Sequence, residues 1–240
     1  MQIKINLKIF LFLIIFIITK QIKIYAILMI FAFIHELAHI IMGILLGFKP
    51  EAISIIPTGF SVKFKAKYEN YNIKIKKGNL LSIKKILIAS AGPLTNVIIP
   101  ILIFVYYKVT GNTYIINIPL DLIIYSNILI FIFNLIPIYP LDGGRILKEI
   151  IHIYSGIHQS YIITNKVSNV SAIILTVISS VIILIYKNIA ILFIIIYLWI
   201  LVINENKDFA IKMKIWNQYK KLTGKNGENK VDRSIEKNII

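Results

Sequence analysis

Phe33-Ile34-His35-Glu36-Leu37-Ala38-His39-Ile40 lies in the middle of an apolar run covering residues 24–47. His35 and His39 are four residues apart, so a helix places them on one face, one above the other. That spacing lets two imidazoles bind one metal ion. Glu36 is turned about 100° from His35 on the same helix. It reaches a water on the metal without ligating the metal itself. The pattern is H-E-x-x-H, the zinc-hydrolase arrangement, with the glutamate as general base. The competing reading is a chance meeting of polar residues on a soluble helix. Two observations weaken it. The chain has only 4 histidines, and two of them are in this motif. The surrounding run is long and apolar enough to cross a membrane, where an ionisable residue at the helix centre costs roughly 2.5–3.5 kcal/mol, so that it marks function by default.

The whole chain supports a membrane setting. Of its 240 residues 58% are hydrophobic, and the mean hydropathy is +0.79. A soluble domain of this length does not carry that much apolar surface, and a polytopic membrane protein does. There is no cysteine, so a metal here must take nitrogen and oxygen ligands. The net charge of +16 would raise nucleic acid as a partner of a soluble protein. Its distribution, taken up below, argues against that partner.

Residues 1–19 carry Lys4 and Lys8 before an apolar stretch and resemble a signal peptide, but the bulky, polar Ile17-Ile18-Thr19-Lys20-Gln21 offers no small-x-small cleavage site. A retained first span is expected over residues 7–19, and a second over 24–47. Residues 48–85 are polar and basic, and 52–67 alternate with period two around Pro57-Thr58-Gly59, as a β-hairpin does. The third span, 86–107, opens on Ala91-Gly92-Pro93-Leu94-Thr95-Asn96; its small residues permit close helix contact, for packing or for function. The fourth span, 120–138, runs into Asn134-Leu135-Ile136-Pro137-Ile138-Tyr139-Pro140-Leu141-Asp142-Gly143-Gly144-Arg145. Two prolines three apart forbid a regular helix. Irregular backbone at membrane depth survives only inside protein or beside a wet cavity, so this stretch is a second functional candidate. Residues 167–186 and 189–203 read as the fifth and sixth spans. The expected fold is an all-α polytopic membrane protein with six transmembrane helices and a small β-hairpin between the second and third. Residues 1–204 form its domain and 205–240 a basic cytoplasmic tail.

Six spans put both termini on one side. Of the lysines and arginines, 23 fall on that side and 4, Lys20, Lys23, Lys108 and Lys187, on the other. The positive-inside rule then places both termini in the cytoplasm. The basic balance is a topology signal, with anionic lipid as a natural partner.

Two histidines leave a catalytic zinc site one protein ligand short. His152 and His158 fall in a loop beyond the fourth span, Glu51 and Glu69 in the hairpin region, and Asp121 at the opposite end of the fourth span. Asp142 follows two prolines that can turn the chain back into the membrane. It is equally an ordinary Asp-Gly turn at a helix end. Spacing alone leaves both open.

H-E-L-A-H within a membrane helix, followed by N-L-I-P-I-Y-P-L-D-G-G-R, resembles the site-2 protease family of intramembrane zinc metalloproteases. The asparagine eight residues before the aspartate is most similar to the stage IV sporulation protein FB branch, which processes pro-sigma-K. The resemblance covers roughly residues 24–203. It implies that His35, His39 and Asp142 ligate one zinc ion, that Glu36 activates water, and that Asn134, with Pro137 and Pro140, meets the substrate. It further implies a membrane-associated protein substrate, a pro-sigma factor in that branch, and inhibitory membrane partner proteins. A general site-2 protease cleaving anti-sigma factors or signal-peptide remnants is the nearest alternative. The tail after residue 203 is too short for the nucleotide-sensing domain of the cystathionine-β-synthase type that branch members often carry, and no PDZ domain is evident. A zinc or ion transporter needs no glutamate beside the first histidine and usually shows an inverted repeat, which this sequence lacks. A dead scaffold would have lost one of the four site residues.

Overall fold

The computed structural model describes residues 2–5, 13, 14, 16–56, 59–66, 78–187 and 189–223. Its elements are β1 (Gln2–Ile5), α1 (Ile22–Leu45), β2 (Phe48–Ile56), β3 (Gly59–Ala66), α2 (Gly78–Thr110), β4 (Tyr114–Ile115), β5 (Ile118–Pro119), α3 (Leu120–Leu135), α4 (Asp142–Tyr186) and α5 (Ile189–Thr223). The chain is mostly helical. Three helices are long and apolar enough to cross a membrane, within Ile22–Leu45, Asn79–Thr110 and Asp142–Tyr186. Most of the first expected span lies outside the described residues; 13, 14 and 16–18 are helical.

The distribution of exposure is inverted relative to a soluble protein. Ile41, Leu45, Ile101, Leu102, Val177 and Leu184 are all more than half exposed. His35, Glu36, His39, Asn96, Asn127 and Asp142 are buried. Water does not tolerate so much exposed aliphatic surface, whereas hydrocarbon does, and it drives polar groups inward. α1 forms because its apolar run holds no proline and no glycine before Gly43. It ends where Gly47 takes φ +87°, with Leu46 N–H bonded to the Met42 carbonyl at 3.0 Å. α2 passes through Pro93 and Pro100 without ending and touches α1, α3 and α4, so it is the hub of the bundle.

α3 has 16 residues, about 24 Å of helix, which falls short of a bilayer core of about 30 Å. It stops at Leu135, just before the first proline. α4 begins at Asp142 and continues for 45 residues, interrupted at Gly156 by φ 78° and ψ 170°. His152 and His158 lie on this helix and not in a loop. Residues 145–155 hold no proline or glycine, and their polar face is occupied: Glu149 pairs with Lys85 of α2 at 3.5 Å, and His152 Nδ1 lies 3.1 Å from Ser82 Oγ. α5 runs through positions 204 and 205 unbroken, so one helix joins the apolar part to the start of the tail.

β2 pairs antiparallel with β3, from Phe48↔Ala66 to Ile56↔Gly59, with an irregularity between Pro50 and Ala52. Residues 57 and 58 lie outside the described residues, as does Lys67. β1 adds parallel to β2, giving the order β1-β2-β3. The sequence offered no sign of this first strand. A Cβ on Gly43 would collide with the Phe64 ring, so β3 packs against α1 one turn beyond His39.

Candidate metal centre

α1 presents both imidazoles toward α2 and the start of α4. Asp142 Oδ2 lies 3.0 Å from His35 Nε2 and 3.1 Å from His39 Nε2, and the two Nε2 atoms are 3.1 Å apart. Three donor atoms thus form a nearly equilateral triangle. All three residues are at least 95% buried.

The outer ring nitrogens decide what this triangle can bind. His39 Nδ1 donates to the Ile88 carbonyl at 2.6 Å, and a carbonyl can only accept. His35 Nδ1 donates to Asn96 Oδ1. Asn96 Nδ2 in turn donates to Asn127 Oδ1 at 2.9 Å, and Asn127 Nδ2 donates to the Ile123 carbonyl at 2.8 Å. The chain of bonds has one direction. A helix carbonyl orients Asn127, Asn127 orients Asn96, and Asn96 places the proton on His35 Nδ1. In the neutral imidazoles both Nε2 atoms therefore carry lone pairs, and both face the Asp142 carboxylate oxygen. Such a set repels itself unless a cation sits among the three atoms. A tetrahedral zinc site with bonds of 2.0–2.1 Å has ligand–ligand edges of about 3.3–3.4 Å, so the observed triangle needs only a small expansion. Outer-shell bonds to ligating histidines of this kind set tautomer and ring orientation.

Gly92 makes the space. A Cβ there would run into His35 Nε2 and His39 Nε2 together. The small residues at the start of the third span therefore serve the site, beyond helix packing. Gly143 and Gly144 have a comparable role. A Cβ on either would meet the backbone of residues 135–139, so the first turn of α4 lies directly on the broken stretch. These glycines are helical, and close approach to the backbone explains them.

Arg145 Nη1 lies 3.8 Å from Asp142 Oδ1, leaving Oδ2 to the histidines. Glu36 is buried beside His35, and no described residue hydrogen-bonds to its carboxylate. Asn134 is half-buried and donates to the Ile130 carbonyl of its own helix at 3.1 Å. The N–H groups of Ile136, Ile138, Tyr139 and Leu141 bond to Phe133, Ile136, the Ser168 hydroxyl and Ile138 respectively, and Pro137 and Pro140 have none. The other carboxylates considered are elsewhere: Glu51 is exposed on β2, Asp121 is exposed at the start of α3 and binds Leu122 N–H, and Glu69 lies outside the described residues. Asn127, Arg145 and the Ile88 carbonyl escaped the sequence reading. Arg145 was visible as the last residue of the second motif but without a role, and Asn127 only as an amide inside an apolar run.

Fold and site together define a membrane-embedded helical protein with a two-histidine, one-aspartate metal-binding arrangement. The sequence profile of peptidase family M50 matches residues 23–117 and 111–178, and the chain belongs to that family. A zinc metalloprotease of Methanocaldococcus jannaschii is 32% identical over 145 residues, which is 59% of this chain and 38% of that protein. The match thus spans well under half of that relative's length. Among solved structures, a site-2 protease from Methanocaldococcus jannaschii shares the fold with a TM-score of 0.63 at 24% identity, over 85% of this chain and 89% of that one.

Proposed function

We propose that this protein is a zinc-dependent intramembrane endopeptidase of the site-2 protease type. The observation that carries the reading is the convergence of His35 Nε2, His39 Nε2 and Asp142 Oδ2 within 3.1 Å of one another, with Glu36 alongside, inside apolar helices. When bound, zinc supplies a Lewis acid for the scissile carbonyl and lowers the pKa of a coordinated water to about 7. Glu36 accepts the proton of the attacking water at its carboxylate. The water oxygen bonds to the carbonyl carbon, the C–N bond breaks, and Glu36 returns the proton to the leaving nitrogen. Asn96 and the Ile88 carbonyl hold the two imidazoles, and Arg145 holds Asp142.

A helical substrate hides its carbonyls in its own hydrogen bonds and must be extended locally. β3 supplies one edge, since only β2 pairs with it among the described residues. The broken stretch has no N–H left to donate, so Asn134, Pro137 and Pro140 contact substrate through side chains and carbonyl oxygens. The six-span topology, with both termini in the cytoplasm and access to the site from that side, rests on the charge count of 23 against 4. Reporter fusions at Lys76 and the C-terminus should read cytoplasm and one at Thr110 outside; an external Lys76 overturns it.

The motif of Asn134 eight residues before Asp142 favours a membrane-associated pro-sigma factor as substrate, processed during sporulation, with anti-sigma factors and signal-peptide remnants as the wider alternative. Co-expression with a pro-sigma factor should give a size shift on a blot with the native chain. Glu36→Gln should lower turnover by about a hundredfold to ten-thousandfold with zinc still bound. Near-normal cleavage by that variant would end the peptidase reading.

A further inference from the structure

Between α4 and α5 lies a small, partly open cavity with polar side chains on an otherwise apolar wall, to which none of the three metal donors contributes. Tyr139, Lys148, Tyr161, Thr164, Glu205 and Lys212 line it. The Lys148 ammonium sits 5.1 Å from the Tyr139 ring centroid and 4.1 Å from that of Tyr161, and the Lys212 ammonium lies 5.1 Å from the same Tyr161 ring. Two ammonium groups thus flank one tyrosine, and neither has an ion-pair partner among the described residues. Cation–π contact of this kind holds the charges in place without neutralising them. Glu205 is the one carboxylate of the lining, so positive charge is in excess. Thr164 is only 4% exposed, and its Oγ1 has no hydrogen-bond partner among the described residues. Ser168, also on the wall, accepts the Tyr139 N–H at 2.9 Å and keeps its own O–H as a donor.

The cavity therefore offers two ammoniums and hydroxyl donors, with positive charge in excess. A tetrahedral oxyanion with several acceptor oxygens uses all of these; a lone carboxylate offers fewer acceptors. The position is also informative. The cavity sits where the apolar run of α5 ends at Ile203 and charged residues begin, the depth at which lipid headgroups meet a transmembrane bundle. We propose that this cavity binds a phosphate-ester anion through Lys148 and Lys212, as a site separate from the metal centre. The source is a phospholipid headgroup or a free phosphate ester, and both share the chemistry. The inference goes beyond the peptidase reading and does not depend on it. Tyr139 belongs both to this wall and to the stretch that delivers Asp142, so an occupant bears directly on the backbone three residues before that ligand.

The test uses the full chain in a phosphate-free detergent, with binding of phosphatidylglycerol, glycerol 3-phosphate and inorganic phosphate read by native mass spectrometry and titration. The double variant Lys148→Ala/Lys212→Ala should weaken binding at least tenfold. Glu205→Gln should tighten it several-fold, because the one carboxylate of the lining is gone. A circular-dichroism spectrum and thermal melt equal to those of the native chain report an intact fold in both. A lipid source appears as phosphatidylglycerol retained against millimolar inorganic phosphate and glycerol 3-phosphate; a soluble source appears as saturable binding of those two alone. Equal binding by the native chain and a folded double variant overturns the proposal. So does a Glu205→Gln protein that binds more weakly, which keeps the test decisive if the double variant fails to fold.

Discussion

α1 and the broken stretch 136–141 both deliver donor atoms to the candidate metal site, by opposite means. α1 is 24 residues of regular helix, and its two histidines share a face because the helical repeat puts them there. The broken stretch has no repeat. It halts α3 after 16 residues, satisfies its N–H groups within itself and on α3 and Ser168 of α4, and lets α4 start with Asp142 against the histidines. Local geometry sets the spacing of the histidines, while depth in the bundle sets the aspartate. The first tolerates changes in packing that keep the helix. The second depends on Gly143 and Gly144 lying against backbone.

The largest effect should come from the donors themselves. His39→Ala and Asp142→Asn should both lose most of their zinc and, with it, activity. A neutral amide is a much poorer ligand, and the histidine pair alone leaves the site one donor short. Metal content of the two purified proteins, side by side, checks this. Full zinc in Asp142→Asn would move the third ligand elsewhere and dissolve the comparison.

Gly92→Ala should come next. Its Cβ would occupy the space of both Nε2 atoms, so zinc and activity fall together although no ligand has changed. Gly143→Ala sharpens the contrast. It displaces only the stretch that carries Asp142, so zinc affinity should drop while the helical content of α1, read by circular dichroism, stays. A Gly92→Ala protein with native zinc affinity would mean that α2 does not approach the site as described.

The smallest effect should be that of Asn127→Leu, two hydrogen bonds away from the metal. Freed from Asn127, Asn96 can rotate and present its amide nitrogen to His35, favouring the wrong tautomer. Loss of an outer-shell partner of this kind costs about 10–100-fold in metal affinity. The readout is zinc affinity by chelator competition, with Asn127→Asp as the comparison. Its carboxylate still accepts from Asn96 and should recover most of the loss.

His35, Glu36 and His39 were legible in the sequence because their meaning is carried by spacing along one helix, and the broken stretch was legible because proline has no N–H and a fixed φ. Asp142 could be named from the sequence only through family resemblance, since an aspartate before glycine fits an ordinary turn as well. The strand β1 was hidden because four residues pair with a partner some fifty positions away, and nothing local marks them. Asn96 lay in a motif that could mean packing, and Asn127 in an apolar run with no motif at all.

The sequence by itself determined the membrane setting, the histidine pair with its glutamate, and the place where the fourth apolar run must break. These follow from hydropathy, helical periodicity and the covalent limits of proline, which act within a few residues. The tertiary structure alone decided that Asp142 closes the triangle, that Gly92 leaves it room, and that Asn127 and Asn96 choose the tautomer of His35. Those depend on distances between helices, and a hydrogen-bond chain that runs from Ile123 to His35 across three helices has no signature in the order of residues along any one of them.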